Sequence, residues 1–334
     1  EMSSRGLGDV YKRQGKYIAG IPQGRLTQIA GPSGAGKSFI AGNLAKSAQA
    51  QGYGVLVVDS ENALDDPFME AIGVDTEDPD YLYVGLSEID DCISVVQSFL
   101  ATVSDLQDKD EKSKPFLIII DSLDMLQTSS EADNYKKGVI KGDQGQHAKQ
   151  IKRMLTGFMQ DVKNLNVAMV CTKQVYQEQD PIAAMSAPWR ITESLKFAFS
   201  QIMLVTKLQL RDKKTKNFEG IRLKVFGHKT RFTKPFQQCI IEVPYDEGMD
   251  PYSGILDACV SYDIVQQKGA WYTLGENKFQ RKDSAQYNEE MLKLLIERED
   301  ELIDVPVDDE YIEESVSSSE KDTTEKRLTK GKKK

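Results

Sequence analysis

Residues Gly31-Pro32-Ser33-Gly34-Ala35-Gly36-Lys37-Ser38 fit the pattern GxxxxGK[ST]. Glycines at this spacing let a chain curl so that its backbone N–H groups face inward around a phosphate. A helix beginning at the end of the loop adds its partial positive charge. Lys37 is placed to reach β- and γ-phosphates, and Ser38 to hold Mg²⁺ through its hydroxyl. A chance glycine-rich turn is the plain alternative. Asp121 closes the apolar run Phe116–Ile120, where a carboxylate supports the metal beside a phosphate loop. Many strand-end aspartates only cap turns. Just past the run Val55–Val58 lie Asp59 and Glu61. Either can orient a water for in-line attack on a γ-phosphate, and spacing alone does not choose between them.

The elements needed to hold these groups are readable. Leu26–Ala30 reads as a strand, and Phe39 to Gln51 as a helix with Ile40, Leu44 and Ala48 four apart. Val55–Val58, Tyr81–Val84, Phe116–Ile120 and Val167–Cys171 read as strands. Between them, Pro67 to Ile72 reads as a short helix. Two helix faces follow, Ile89, Cys92, Val96, Phe99 and Val103, then Ile151, Leu155, Phe158, Val162 and Leu165. This alternation predicts an α/β fold, a mostly parallel sheet with helices on both faces. Near residue 200 the rhythm changes. Ile202–Thr206, Ile221–Phe226 and Cys239–Val243 are expected to extend the sheet as antiparallel strands. Ile255–Val260 and Met291–Ile303 suggest a small C-terminal α/β region. The expected division is a core over 17–250, a small domain over 251–303 and a disordered charged tail over 304–334. Residues 1–16 are set aside as an unassigned segment, read as foreign to the fold and as a read-through artefact.

Composition narrows the classes further. The chain has 334 residues, 40% hydrophobic and 28% charged, which excludes collagen-like, mucin-like and wholly disordered proteins. Its longest wholly apolar stretch, Phe116–Ile120, is far short of the roughly 20 residues that span a bilayer, and no basic-then-apolar leader opens the chain. Cys92, Cys171, Cys239 and Cys259 form no CxxC pair and read as reduced core residues of a cytosolic protein. With His147 and His228 as the two histidines, a zinc site is not expected. The net charge of −9 argues weakly against nucleic acid as a partner. Asp304 to Glu320 is acidic and Lys321 to Lys334 basic, as in a solvated tail.

Several segments resemble the RecA recombinases. Val58-Asp59-Ser60-Glu61-Asn62-Ala63-Leu64-Asp65, running on to Ile72-Gly73-Val74-Asp75, is similar to that family, as is Gly20-Ile21-Pro22-Gln23-Gly24-Arg25. Met249-Asp250-Pro251-Tyr252-Ser253-Gly254-Ile255-Leu256-Asp257 resembles the phage UvsX branch, and Lys268-Gly269-Ala270-Trp271-Tyr272 bacterial RecA. The resemblance covers about residues 17 to 275. It implies a DNA-dependent ATPase using ATP and Mg²⁺. Such a protein forms homo-oligomeric filaments on single-stranded DNA and pairs it with homologous duplex DNA. It is expected in the cytoplasm of a bacterial host cell, encoded by a phage.

Residue by residue, the resemblance makes Glu61 the water-activating carboxylate. It sets Phe68 against adenine, with core packing as the alternative, and Asp65 near the base, with a helix N-cap as the alternative. Gln174 becomes a γ-phosphate sensor. Lys229 and Arg231 become a cation pair that reaches the ATP of a neighbouring subunit. Two loops are expected to contact DNA. One lies around Lys141 to His147 and leads into Arg153 and Thr156. The other runs from Gln174 to Lys196, where Arg190 and Lys196 remain as phosphate partners and Trp189 as a stacking residue. This second loop departs from the family. Its basic positions read Tyr176 and Glu178, its paired glycines Ile191 and Thr192, and Asp180 adds negative charge. Residues 1–16 do not resemble the family's N-terminal assembly arm. Two alternatives stay open, a ring-forming helicase-type motor and a non-catalytic ATP-binding paralogue that recruits a recombinase.

Overall fold

The computed structural model describes residues 20–109, 114–139, 145–180, 188–211, 217–231, 238–245, 248–250 and 252–302. The first strands and helices alternate: β1 (Arg25–Gly31), α1 (Lys37–Ala50), β2 (Gly54–Asp59), α2 (Asp66–Ile72), β3 (Tyr81–Gly85), α3 (Ile89–Lys109) and β4 (Phe116–Asp121). Then come α4 (Ser129–Lys136), α5 (Gln146–Asp161) and β5 (Val167–Gln174). A short hairpin, β6 (Tyr176–Gln177) with β7 (Trp189–Arg190), leads to α6 (Glu193–Lys196). Long strands β8 (Gln201–Arg211), β9 (Phe218–Thr230) and β10 (Gln238–Pro244) follow. The last elements are α7 (Ile255–Ser261), β11 (Gln266–Lys268), β12 (Trp271–Leu274), β13 (Asn277–Gln280), a 3₁₀ turn (Arg281–Tyr287) and α8 (Asn288–Leu302).

The main sheet runs β10-β9-β8-β1-β5-β4-β2-β3. Its central strands are buried on both faces, which is why β2 and β4 read as continuous apolar runs instead of alternating. On one face α3 lays down Ile89, Cys92, Val96, Leu100 and Val103, and α5 lays down Ile151, Met154, Leu155 and Phe158. On the other, α1 contributes the small stripe Ala41, Ala45 and Ala48. A Cβ at Gly42 would come 2.7 Å from Ile72 Cδ1, so glycine lets α2 pack closely on α1.

Three sequence expectations are corrected here. The segment after residue 200 does not begin antiparallel: β8 lies parallel to β1, and β9 and β10 alone run antiparallel. Leu165 falls beyond the end of α5 but still packs against the same core. Cys92, Cys171 and Cys259 are buried, whereas Cys239 is exposed on the edge strand β10 and is not a core residue. The C-terminal elements have their own core of Leu256, Cys259, Val265, Tyr272, Leu274, Phe279 and Met291.

Candidate functional site

Parallel pairing sets the ends of four strands side by side. In the order β1-β5-β4-β2, Gly31 stands opposite Gln174, and Asp59 opposite Asp121. The phosphate loop, Gln174, Asp121 and the Asp59–Glu61 segment therefore share the carboxyl edge of the sheet, where open α/β sheets bind ligands.

The loop is shaped by its glycines. Gly34 and Gly36 have φ of 67° and 90°, in the left-handed region that residues with a Cβ avoid. A Cβ at Gly31 would lie 2.6 Å from the Val205 carbonyl oxygen of β8, so the neighbouring strand leaves room for glycine alone. Gly36 precedes α1, and Ala35 N–H donates to the Pro32 carbonyl at 3.2 Å. Lys37 Nζ donates to that same carbonyl at 3.1 Å, folding over the cradle between Pro32 and Ser38. Ser33 and the remaining loop residues complete the curl.

Asp121 is fully buried. Its Oδ1 accepts the Thr172 hydroxyl, while Oδ2 is buried without a hydrogen-bond partner. Burial raises its pKa, the hydroxyls of Thr172 and Ser38 offset part of that rise, and the charges of Glu61 and Asp59 add to it. A carboxylate oxygen left unmatched beside Ser38 is the donor set a hard divalent cation takes, so these residues fit Mg²⁺.

The two rival carboxylates differ in how they are engaged. Asp59 accepts Glu61 N–H at 2.9 Å on one oxygen, and Leu64 N–H at 2.8 Å and the Tyr83 hydroxyl at 3.2 Å on the other. Burial and Asp59 together push the Tyr83 phenol up to about 12, so it stays a donor. Asp59 thus shapes the turn. Glu61 projects to the surface and accepts the Ser122 hydroxyl. Ser122 is itself fixed, its N–H donating to Ser60 Oγ at 2.9 Å. Neither Thr172 nor Ser122 was singled out in the sequence. A hydroxyl directly after the apolar run Val167–Cys171, and one directly after the candidate metal carboxylate Asp121, were the available signals.

Asp65 caps α2, accepting Phe68 N–H at 3.2 Å, and Phe68 is half-buried against α1. Both plain alternatives are therefore realised geometrically; Asp65 is exposed, and Phe68 keeps an exposed part beside α1. Gln174 is the last residue of β5 and not, as the sequence suggested, a residue beyond the strand. Val175 N–H donates to the Gly31 carbonyl at 3.1 Å, tying this strand end to the phosphate loop.

Lys229 and Arg231 lie elsewhere. Lys229 pairs with Ile202, which pairs with Gln28, three residues before Gly31. At about 3.3 Å per residue Lys229 lies roughly 10 Å back along the strand direction from the level of Gly31 and two strand positions to its side, toward the opposite edge of the sheet. Arg231 lies just past β9, so the pair does not share one extended strand. Lys229 is half-buried and donates to the Lys196 carbonyl at 2.6 Å. Burial, then Arg231, then Lys196 lower its pKa to about 8. Among the described residues neither cation makes an ion pair.

The profile of the RecA N-terminal domain matches residues 6–250. The chain belongs to the RecA family. It is similar to Protein RecA of Limosilactobacillus reuteri, 28% identical over 269 residues, covering 78% of this chain and 68% of that one. Protein RecA of Acholeplasma laidlawii is 27% identical over 287 residues, covering 84% and 81%. Protein RecA of Aquifex pyrophilus is 27% identical over 292 residues, covering 86% and 77%. The match to the RecA profile takes in part of the segment 1–16, which lies outside the described residues.

The residues expected to hold DNA in this RecA-family chain are less ready than the nucleotide site. Arg153 and Thr156 are exposed on α5, and Thr156 donates its hydroxyl to the Lys152 carbonyl at 2.7 Å. Arg190 lies 4.0 Å from Glu178, and Lys196 pairs with Glu193, so both cations already face carboxylates. Trp189 packs against the core instead of standing free for stacking. His147 opens α5 and bonds the Leu126 carbonyl at 2.6 Å. Residues 141–144 and 181–187 of the two expected loops lie outside the described residues. No described helix is long and apolar enough to cross a membrane.

Proposed function

We propose that this chain is a DNA-dependent ATP hydrolase that forms filaments on single-stranded DNA and promotes homologous pairing and strand exchange. The observation that carries this is the split of its phosphate chemistry across the sheet. Loop, metal carboxylate, Glu61 and Gln174 occupy one edge, while Lys229 and Arg231, which make no ion pair among the described residues, lie toward the other. Cations placed out of reach of their own loop suit the site of a second copy, where they neutralise charge growing at the γ-phosphate.

In this reading the inward N–H groups of Gly31 to Ser38 bind the β- and γ-phosphates, and Lys37 leaves the Pro32 carbonyl to reach them. Bound Mg²⁺ supplies a Lewis acid that offsets phosphate charge, held by Ser38 and Asp121. Glu61 accepts the proton of the attacking water, positioned by the Ser122 hydroxyl. Gln174 donates its amide to a phosphate oxygen without adding charge. Phe68 and Asp65 flank the base. Arg153, Thr156, Arg190 and Lys196 meet the DNA backbone.

The work divides over a core at 17–250, a small domain at 251–303 and a charged tail at 304–334. The segment from Met249 to Asp257 supports a place in the phage UvsX branch, and with it phage origin and action in a bacterial cytoplasm. The test is ATP hydrolysis with and without single-stranded DNA. Strong stimulation that is lost in Glu61→Gln is expected. Flat, slow hydrolysis in the wild type would overturn the reading.

A further inference from the structure

Among the ion pairs of the described residues, Lys173–Asp124 is the most withdrawn from water, with side chains 9% and 14% exposed. Lys173 Nζ lies 2.5 Å from Asp124 Oδ1, and the other oxygen accepts the Gln174 N–H at 2.5 Å. Asp124 sits in the turn after β4, three residues past Asp121. In that turn Leu123 N–H donates to the Thr172 carbonyl at 3.1 Å. The ends of β4 and β5 are thus laced together at Thr172, Lys173 and Gln174. The next residue, Val175, is held from the other side by the Gly31 carbonyl. After it begins the hairpin that carries Tyr176 and Arg190.

Such a pair adds little net stability, because the cost of stripping water from two charges offsets most of their attraction. Its consequence is geometric. A charged acceptor grips one strand end by a side chain and a main-chain donor at once. Both partners also line a cavity of about 630 Å³ with His147, Tyr176 and Thr192, residues that flank the two expected DNA loops.

We infer that Asp124 and Lys173 are positioning residues that clamp the end of β5. With that pivot fixed, a shift of the phosphate loop at Gly31 passes through Val175 to the Tyr176–Arg190 hairpin and does not dissipate at Gln174. The inference rests on the nucleotide and DNA roles proposed above. It concerns coupling between those sites, not the chemistry at either.

The test uses the full chain and a fluorescent oligo(dT) strand, with affinity measured in Mg²⁺ with a non-hydrolysable ATP analogue and in Mg²⁺ with ADP. The wild type is expected to bind more tightly with the ATP analogue. Lys173→Met should cut that affinity ratio by about tenfold, within the range of typical coupling energies. Its DNA-free hydrolysis should stay at the wild-type rate, and Lys173→Arg should restore the ratio. If Lys173→Met leaves Asp124 unpaired and misfolds, the double variant Asp124→Leu/Lys173→Met removes both charges together. A folded variant that keeps the wild-type ratio would overturn the clamp while leaving the proposed function standing. A wild type with equal affinities would overturn the nucleotide-dependent DNA reading itself, and the clamp with it.

Discussion

Replacing Lys229 with methionine is expected to cost activity without costing stability. The ammonium is half-buried, close to Arg231 and Lys196, and it donates a hydrogen bond to the Lys196 carbonyl. Burial first, then those two cations, bring its pKa from 10.5 to about 8. At ~1.4 kcal/mol per pH unit the drop corresponds to ~3.4 kcal/mol against the charged form. Solvent screening of a half-exposed group reduces this to about 1–2 kcal/mol. The folded chain holds this proton more weakly than the unfolded chain does. Between pH 8 and 10.5 the unfolded state therefore binds more protons, and stability rises with pH. The penalty is fully present below pH 8 and is relieved as pH climbs toward 10.5. Methionine carries no such proton. At pH 7 the relief offsets the lost hydrogen bond, itself worth about 0.5–1.5 kcal/mol, so the two proteins should unfold at similar urea concentrations. By pH 10 the wild type should have gained about 1–2 kcal/mol on the variant. Comparing the two proteins at both pH values cancels the titrating groups that are not coupled to Lys229. Hydrolysis stimulated by DNA should meanwhile fall about 10³-fold, as when a cation supplied in trans is lost. Parallel stability curves would refute the electrostatic account. Undiminished hydrolysis would refute the placement of Lys229 in a neighbour's site.

Three further outcomes are expected. Glu61→Gln should still bind ATP and single-stranded DNA but release phosphate about 10²–10⁴ times more slowly, and an ordinary rate would remove Glu61 from the chemistry. Asp121 has a raised pKa, so its charge weighs on the ligand-free fold more as pH rises through that value. Asp121→Asn should therefore melt no lower than wild type at neutral pH while losing the Mg²⁺-dependent part of the thermal shift with ATP. A lower ligand-free melting point would contradict this. Glu178→Gln frees Arg190 from its carboxylate. Binding of single-stranded DNA should tighten, and the slope of log affinity against log salt should steepen by about 0.7 as one more phosphate is neutralised. An unchanged slope would mean that Arg190 does not meet the backbone.

The parts of this protein that follow from periodicity were legible. Phe116–Ile120 is apolar without alternation because both its faces are covered, and Ile89, Cys92, Val96 and Val103 repeat at helical spacing because one face of α3 is. The direction of β8 was not legible, since it is set by how the chain crosses back over the sheet and not by the residues of the strand. Around the site, Gly31 to Ser38 and Asp121 announce themselves by type and order. Asp59 and Glu61 do not separate by type, because the difference lies in three donors that converge on Asp59 from Glu61, Leu64 and Tyr83. The clamp left a faint trace: Lys173 is a charged residue in the otherwise buried strand Val167–Gln174. Its partner, 49 residues away in the chain, is brought near by the pairing of β4 with β5. Cys239 read as core because its neighbours are apolar. It is exposed because β10 is an edge strand.

Separation of the two half-sites constrains how copies can meet. A two-fold dimer joins a patch to the same patch on its mate. Here the phosphate loop stands at the carboxyl ends of β1, β5 and β4, and Lys229 and Arg231 lie toward the far ends of β8 and β9. Bringing one copy's cations to another's loop joins unlike surfaces, and each addition leaves one of each exposed. Such contacts repeat into a ring or a helical filament. The depressed pKa of Lys229 fits the same logic. Under the proposed function, a cation cluster that repels itself in the isolated subunit would gain a counter-charge from a neighbour's triphosphate, and the nucleotide would join subunits as well as fuel them. Hydrolysis removes one phosphate's worth of that counter-charge. On that proposal the step that completes the chemistry would also loosen the contact, linking turnover and disassembly through the electrostatics of Lys229, Arg231 and Lys196.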